Sequence, residues 1–304
     1  LASVRREQAV YRTYRSLGAV MHWLPEPLAE ASAAAVGLGL VVFRRDARTM
    51  YARHLARVFG RPLSEREARE WAGRAFRNYA RYWLEGARLA DVPPQVVLDR
   101  MVVESGWEYL VENMAAGRGV IIALPHVGTW EWGGAWLALK GYPMTSVAEP
   151  VRPQVLYDWF ASQREAMGLR IVPMGPGTGV ALLTALRAGG LVGLLCDRDI
   201  MGNGVDVEFF GEKTTLPGGP ATLALRTGAA LLPTAVYSGP GRGHTAVIMR
   251  PLATERVGKL REDVTRVTQA LALDLETLIR RAPEQWYLFQ PNWPSDNVAW
   301  RSPR

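Results

Sequence analysis

Val120-Ile121-Ile122-Ala123-Leu124-Pro125-His126-Val127-Gly128-Thr129-Trp130-Glu131-Trp132-Gly133-Gly134 changes character twice within one short stretch. It opens as an unbroken apolar run rich in β-branched residues, the pattern of a buried strand. Pro125 and Gly128 then favour irregular backbone. From Trp130 to Lys140 the spacing is helical, and Gly141 stands where a left-handed helix stop is wanted. Strand, irregular junction and helix in that order make one unit of an α/β sheet.

Working outward, the same unit repeats. Met144–Ala148, Leu169–Val172, Leu191–Cys196, Val205–Phe210, Leu231–Tyr237 and Thr245–Met249 are short apolar runs that read as strands. Helices lie between several of them: Gln154–Met167 before Gly168, Gly179–Ala188 before Gly189, and Pro220–Thr227 before Gly228. Val264, Val267, Leu271, Leu275 and Leu278 mark a last helix, ended by Pro283. The expectation is an α/β fold, with a central mixed β-sheet flanked by helices.

Upstream the pattern is helical. Ser64-Glu65-Arg66-Glu67 is a capping box, and Ala72, Phe76, Tyr79, Trp83 and Ala87 follow as one buried stripe. Tyr11 to Val41 reads as two helices broken at Pro25-Glu26-Pro27, with Leu17, Val20, Met21, Trp23 and Leu24 crowded at the break. That hairpin either packs on the next helix or lies in a membrane interface. No linker or repeat divides the chain, so it is expected to be a single unit over residues 1–304. Residues 1–115 form its mainly helical part and 116–304 its α/β core.

Composition narrows the classes. The chain has 304 residues, 48% of them hydrophobic, enough for a large core. Lys and Arg exceed Asp and Glu by 36 to 29, a net +7 that suits anionic partners such as phosphates or acidic headgroups. The basic residues are dispersed and match no nucleic-acid motif, so nucleic acid is not an expected partner. Cys196 is the single cysteine, and its apolar run reads as core. His22, His54, His126 and His244 are scattered, so no metal site is expected. The longest apolar helix candidate, residues 31–43, falls short of the about 20 residues needed to span a bilayer. Residues 1–6 lack the order of a signal peptide. A cytoplasmic location with surface membrane contact is expected.

His126 and Glu131 carry the chemistry of the opening stretch. Residues five apart on a regular helix point about 140° away from each other. The two meet only if His126 precedes the helix and Glu131 reaches back. Glu131 would then fix the imidazole tautomer and leave the other nitrogen free to take a proton. A His that caps the helix and forms an ion pair with Glu131 has the same spacing.

The stretch resembles the HX4D/E motif of the glycerolipid acyltransferase superfamily. It is closest to the lipid A biosynthesis and phosphatidylinositol mannoside acyltransferases. Val147-Ala148-Glu149-Pro150-Val151-Arg152-Pro153 with Arg164-Glu165-Ala166-Met167-Gly168 resembles the second family block. Cys196-Asp197-Arg198-Asp199, the stretch from Gly204 to Gly211 and Pro217-Gly218-Gly219-Pro220-Ala221 resemble the third, and Pro283-Glu284-Gln285-Trp286-Tyr287 the closing block. Departures are Glu131 where much of the superfamily has Asp, and Asp197 where the mannoside branch more often has Glu.

The resemblance implies an O-acyltransferase that moves a long-chain acyl group, with palmitoyl expected, from acyl-CoA to a hydroxyl of a membrane phosphoglycolipid. A mannose of phosphatidylinositol mannoside is the expected acceptor, and acyl-CoA is a co-substrate with no cofactor beside it. His126 would act as base and Glu131 as its orienting acid. Arg164 and Arg198 would bind phosphates, and Asp197, Glu149 and Asp199 would bind sugar hydroxyls. The enzyme would sit on the anionic inner face of the cell membrane. A lysophosphatidic acid acyltransferase and a non-catalytic lipid-binding protein are the alternatives.

Overall fold

The computed structural model describes residues 26–149, 153–239 and 241–296. The predicted helix ahead of Pro25, with Leu17, Val20, Met21, Trp23 and Leu24, lies outside them, as do Pro150 to Arg152 of the second block. Three helices come first: α1 (Glu26–Phe43), α2 (Arg45–Phe59) and α3 (Glu65–Arg88). The Ser64 hydroxyl accepts the Glu67 amide and the Glu67 carboxylate accepts the Ser64 amide, so the capping box forms as read. α1 lies against α3 where a Cβ on Gly37 would come within 2.8 Å of the Arg77 backbone.

α4 (Pro94–Asp99), β1 (Met101–Ser105) and α5 (Trp107–Ala115) lead into the core. β1 falls inside the region read as helical, and it is the outermost strand of the main sheet. The remaining elements are β2 (Val120–Leu124), α6 (Trp130–Leu139), β3 (Met144–Ala148), α7 (Gln154–Ala166), β4 (Arg170–Pro173), α8 (Thr178–Arg187), β5 (Leu191–Leu195), β6 (Val205–Phe209), β7 (Glu212–Leu216), α9 (Gly219–Thr227), β8 (Ala230–Ser238), β9 (His244–Ile248) and α10 (Leu260–Arg281). Gly141, Gly168, Gly189 and Gly228 take positive φ just past their helices.

Seven strands form one sheet in the order β1-β9-β8-β2-β5-β3-β4. β4, β3, β5, β2 and β8 pair in parallel, β9 runs antiparallel to β8, and β1 pairs in parallel with β9. The fold is therefore α/β with a mixed sheet and a helical N-terminal region. β6 and β7 stand apart as an antiparallel hairpin, and its Phe209 and Phe210 are buried in the core.

Side chains alternate across the pleat, so consecutive residues serve different layers. Ile121 and Ala123 join Val192, Leu231, Leu271 and Leu275 on the α10 face. Ile122 and Leu124 join Trp132, Trp136, Met144 and Leu232 on the α6 face. Ile121 and Ile122 are 0% and 2% exposed, and burying a side chain of this size contributes about 1.5–3 kcal/mol.

The N-terminal helices hold residues 283–296 in place. The Tyr51 hydroxyl donates to the Pro283 carbonyl at 2.5 Å, and the two His54 ring nitrogens lie 3.0 and 3.3 Å from the Leu288 carbonyl and Asp296. Residues 283–296 are thereby pressed against the carboxyl ends of the parallel strands.

Candidate active site

β2 and β5 are hydrogen-bonded neighbours in parallel, with Leu124 opposite Leu195. His126 and Asp197 each lie two residues further along, so the register delivers them side by side. One Asp197 carboxylate oxygen is 2.5 Å from His126 Nδ1, and the other accepts the His126 amide at 2.9 Å. The Trp286 indole N–H donates to that second oxygen at 2.8 Å. Burial pushes the Asp197 carboxyl up, but the imidazole and these hydrogen bonds outweigh it and leave the group below its ordinary value.

The backbone around His126 is equally fixed. Gly128 has φ of +64°, and a Cβ there would sit 2.0 Å from the Val236 carbonyl oxygen. Only glycine fits that junction. Val127 bridges Trp286, the Tyr287 amide donates to the His126 carbonyl, and the Gly128 amide donates to the Gln285 carbonyl. The closing block is thus strapped onto the strand-to-helix junction, and Trp130 meets the imidazole edge-on at 5.5 Å.

Two expectations need correction. Glu131 does not hold the imidazole. It lies in the first turn of α6, where one carboxylate oxygen accepts from the Tyr82 hydroxyl at 2.8 Å and from Arg164 Nη2 at 3.0 Å. Its other oxygen is buried without a hydrogen-bond partner among the described residues. Asp197 is no sugar ligand either, being 0% exposed with both oxygens engaged. The orienting role expected of Glu131 falls to Asp197 because strand register places it there. Burial opposes charge on Arg164, yet the Glu131 carboxylate more than compensates and raises its pKa.

The other predicted residues divide. Arg198 Nη2 donates to both Glu149 oxygens at 3.2 and 3.3 Å, and both residues line the cavity that His126 opens into. Asp199 accepts from the Gly202 and Gly204 amides and from the Thr215 hydroxyl, so its carboxylate closes the loop after β5. Cys196 is buried, its thiol pushed well up by burial and by Asp197, and inert as a nucleophile. Sequence reading missed Tyr82 and gave Trp286 only as part of the closing block, without its bond to Asp197. Trp83, expected in the buried stripe, is 41% exposed and stands in the cavity wall, while Tyr82 turns inward.

The cavity measures about 770 Å³. Its lining is mostly apolar, and six strands of the main sheet contribute to it from one face: Ser146, Gly193, Ile122, Leu124, Thr234, Val236, Ala246, Ile248, Met101 and Val103 lie beneath Gly133, Gly134 and Trp136 of α6. A Cβ on Gly133 would come within 2.7 Å of a Val236 methyl, which measures how closely the helix approaches the sheet.

A histidine held by a buried carboxylate at the mouth of an apolar cavity suits acyl transfer. The profile of the bacterial lipid A biosynthesis acyltransferases matches residues 7–295. The chain belongs to that family. Among similar proteins, the phosphatidylinositol mannoside acyltransferase of Mycolicibacterium smegmatis is 36% identical over 248 residues, 80% of this chain and 79% of its own. The protein of the same name from Mycobacterium tuberculosis is 38% identical over 225 residues, 72% of this chain and 69% of its own. A lipid A biosynthesis acyltransferase of Haemophilus influenzae is 28% identical over 184 residues, 60% and 55% of the two chains. Among the described residues of this family member, no helix is long and apolar enough to cross a membrane.

Proposed function

We propose that the protein transfers a long-chain fatty acyl group, palmitoyl in the first instance, from acyl-CoA to a mannose hydroxyl of a phosphatidylinositol mannoside. The observation that carries this reading is the Asp197-locked His126 at the mouth of the apolar cavity. The names of the relatives supply the acceptor.

The residues lead to a direct transfer. Asp197 holds the proton on Nδ1, which leaves Nε2 as the ring atom for the cavity, and the His126 side chain is 21% exposed there. Nε2 removes the proton of the acceptor hydroxyl as its oxygen attacks the thioester carbonyl carbon. The tetrahedral oxyanion then collapses, the C–S bond breaks, and the imidazolium returns the proton to the departing thiolate. General-base catalysis contributes about 10²–10⁴-fold. The start of α6 opens on the same mouth and favours developing negative charge. Arg198 and Arg164 stand there as partners for carrier or headgroup phosphates, and Glu149 for a sugar hydroxyl.

A peripheral position on the anionic inner face of the membrane fits the net charge of +7 and the exposed Val42 and Phe43 at the end of α1. The test is free-CoA release from palmitoyl-CoA with phosphatidylinositol mannosides and, in parallel, lysophosphatidic acid. Mannoside-dependent release that is lost in His126→Ala supports the reading. Release with lysophosphatidic acid alone moves the acceptor to the other branch. No release with either acceptor sinks the proposal in favour of a lipid-binding protein.

A further inference from the structure

Strand register brings Asp197 to His126, but the ladder stops before it can hold Asp197 there. The last backbone bond between the ends of β2 and β5 runs from the Cys196 amide to the Leu124 carbonyl at 2.9 Å, one residue short. Asp197 is fully buried, and a buried backbone carbonyl needs a donor. That donor is a side chain from far along the chain: Asn292 Nδ2 lies 3.1 Å from the Asp197 carbonyl oxygen. Among the described residues no other donor reaches this oxygen.

Asn292 is itself firmly mounted. Pro291 and Pro294 flank the turn that carries it and restrict φ on either side. One Asp296 oxygen accepts the Asn292 and Trp293 amides at 3.1 and 3.2 Å, and the other accepts from Arg57 Nη2 of α2 at 2.9 Å. Burial pushes the Asp296 carboxyl up, but His54, the Asn292 amide and Arg57 outweigh it and leave the group below its ordinary value. The Thr214 hydroxyl of β7 donates to the Asn292 carbonyl. The neighbouring Trp293 ring stacks on Phe209 at 5.7 Å and donates to the Phe209 carbonyl at 3.2 Å. A short chain of bonds thus runs from α2 through Asp296, Asn292 and Asp197 to the His126 ring.

We infer that Asn292 is a positioning residue for the transfer reaction, holding the main chain of Asp197 so that its carboxylate stays against the His126 ring. The inference rests on the acyltransferase reading above. The Trp286 indole restrains only the carboxylate, and Asp197 can pivot about that bond once its main chain is released. An amide side chain is required because the task is to donate, and a carboxylate of the same shape has no proton to give. Asn292 lies outside the lining of the cavity, so it acts through Asp197 rather than on a substrate. Misplacing a reacting arrangement by about 1 Å costs about 10²-fold in rate.

The experiment places Asn292→Ala in the full chain, alone and together with Asp197→Asn, with palmitoyl-CoA and phosphatidylinositol mannoside as substrates. Alone, it is expected to lower kcat by about 10²-fold with KM held within about twofold. Beside Asp197→Asn, where the carboxylate is already lost, it is expected to change kcat by less than about twofold, because residues that act as a unit are not additive. Equal fractional losses in the two backgrounds mean a merely structural role and overturn the inference, as does an unchanged kcat in Asn292→Ala alone. Thr214→Val keeps its shape and removes one hydrogen bond from Asn292. It takes the place of Asn292→Ala if that variant does not fold, with a smaller loss of the same non-additive kind expected and full activity overturning the inference. Proton NMR reads the bond without turnover. The downfield resonance of the His126 Nδ1 proton is expected in the wild-type protein and is expected to move upfield or vanish in the variants. If the wild-type protein transfers nothing, the function reading fails, and the resonance alone decides: left unchanged by the substitutions, it overturns the positioning role.

Discussion

Asp197 grips His126 twice, through the ring at 2.5 Å and through the main-chain amide at 2.9 Å. A carboxylate used in this way fixes both which nitrogen carries the proton and where the ring stands. Asp197→Asn keeps the shape and removes the charge. It is expected to lower kcat by about 10²–10⁴-fold with little change in KM. Steady-state kinetics beside a melting curve check this, and an unaltered kcat would refute the relay.

Glu131 and Arg164 make a structural demand of their own. Removing Arg164 leaves a buried carboxylate without its cation, which costs about 3–5 kcal/mol for a buried pair. Arg164→Ala should therefore lower the melting temperature clearly, whereas Tyr82→Phe, which removes a single hydrogen bond to the same carboxylate, should cost about 1.5–3 kcal/mol. Denaturant titration ranks the two, and equal losses would contradict the arrangement.

Cys196 offers a clean negative control. Its thiol is buried and its pKa is raised, so no acyl-enzyme is expected on sulfur. Cys196→Ala should retain transfer within about twofold, at a stability cost of about 1 kcal/mol for the lost sulfur packing. Mass spectrometry of the enzyme trapped with donor alone would reveal an adduct if this is wrong.

His244 makes the fold acid-sensitive. Burial, followed by the nearby positive charges of Arg81 and Arg100, holds its pKa at about 3, against an ordinary 6.5. The unfolded chain binds the proton throughout that interval and the folded chain does not. Stability is therefore fully present above pH about 6.5 and declines as pH falls toward 3, by up to about 1.4 kcal/mol per pH unit. His244→Phe keeps a ring against Trp132 and removes the titration, so its unfolding free energy should fall less steeply with acid, by about one proton. Chemical denaturation at several pH values checks the slope.

The local signals in the sequence were strong where one element decides its own form. The strand Met144–Ala148, the capping box at Ser64 and the stop at Pro283 follow from short-range chemistry and stand where they were read. β1 was hidden because Met101-Val102-Val103-Glu104-Ser105 is short and follows a helix directly. β7, Glu212-Lys213-Thr214-Thr215-Leu216, lacks an apolar run because one of its faces is open to solvent. His126 and Asp197 were both singled out, but the partnership between them was not. Two strands can be recognised separately without any sign that they are neighbours, and the motif spacing pointed to Glu131 instead. The matching offsets of His126 and Asp197 from their strand ends were the available clue, and it required knowing the strand order.

The strap formed by residues 285–287 has a consequence for how the protein is made. Asp197 lies 71 positions after His126, and Trp286 a further 89 positions on. Chains emerge from the ribosome amino end first, and their early parts begin to fold before the rest exists. The base can be synthesised and even seated on its strand while the indole that completes its setting has yet to be translated. A nascent or truncated chain that stops short of Trp286 therefore lacks the indole that anchors Asp197, and the proposed centre is complete only once residue 286 has been made.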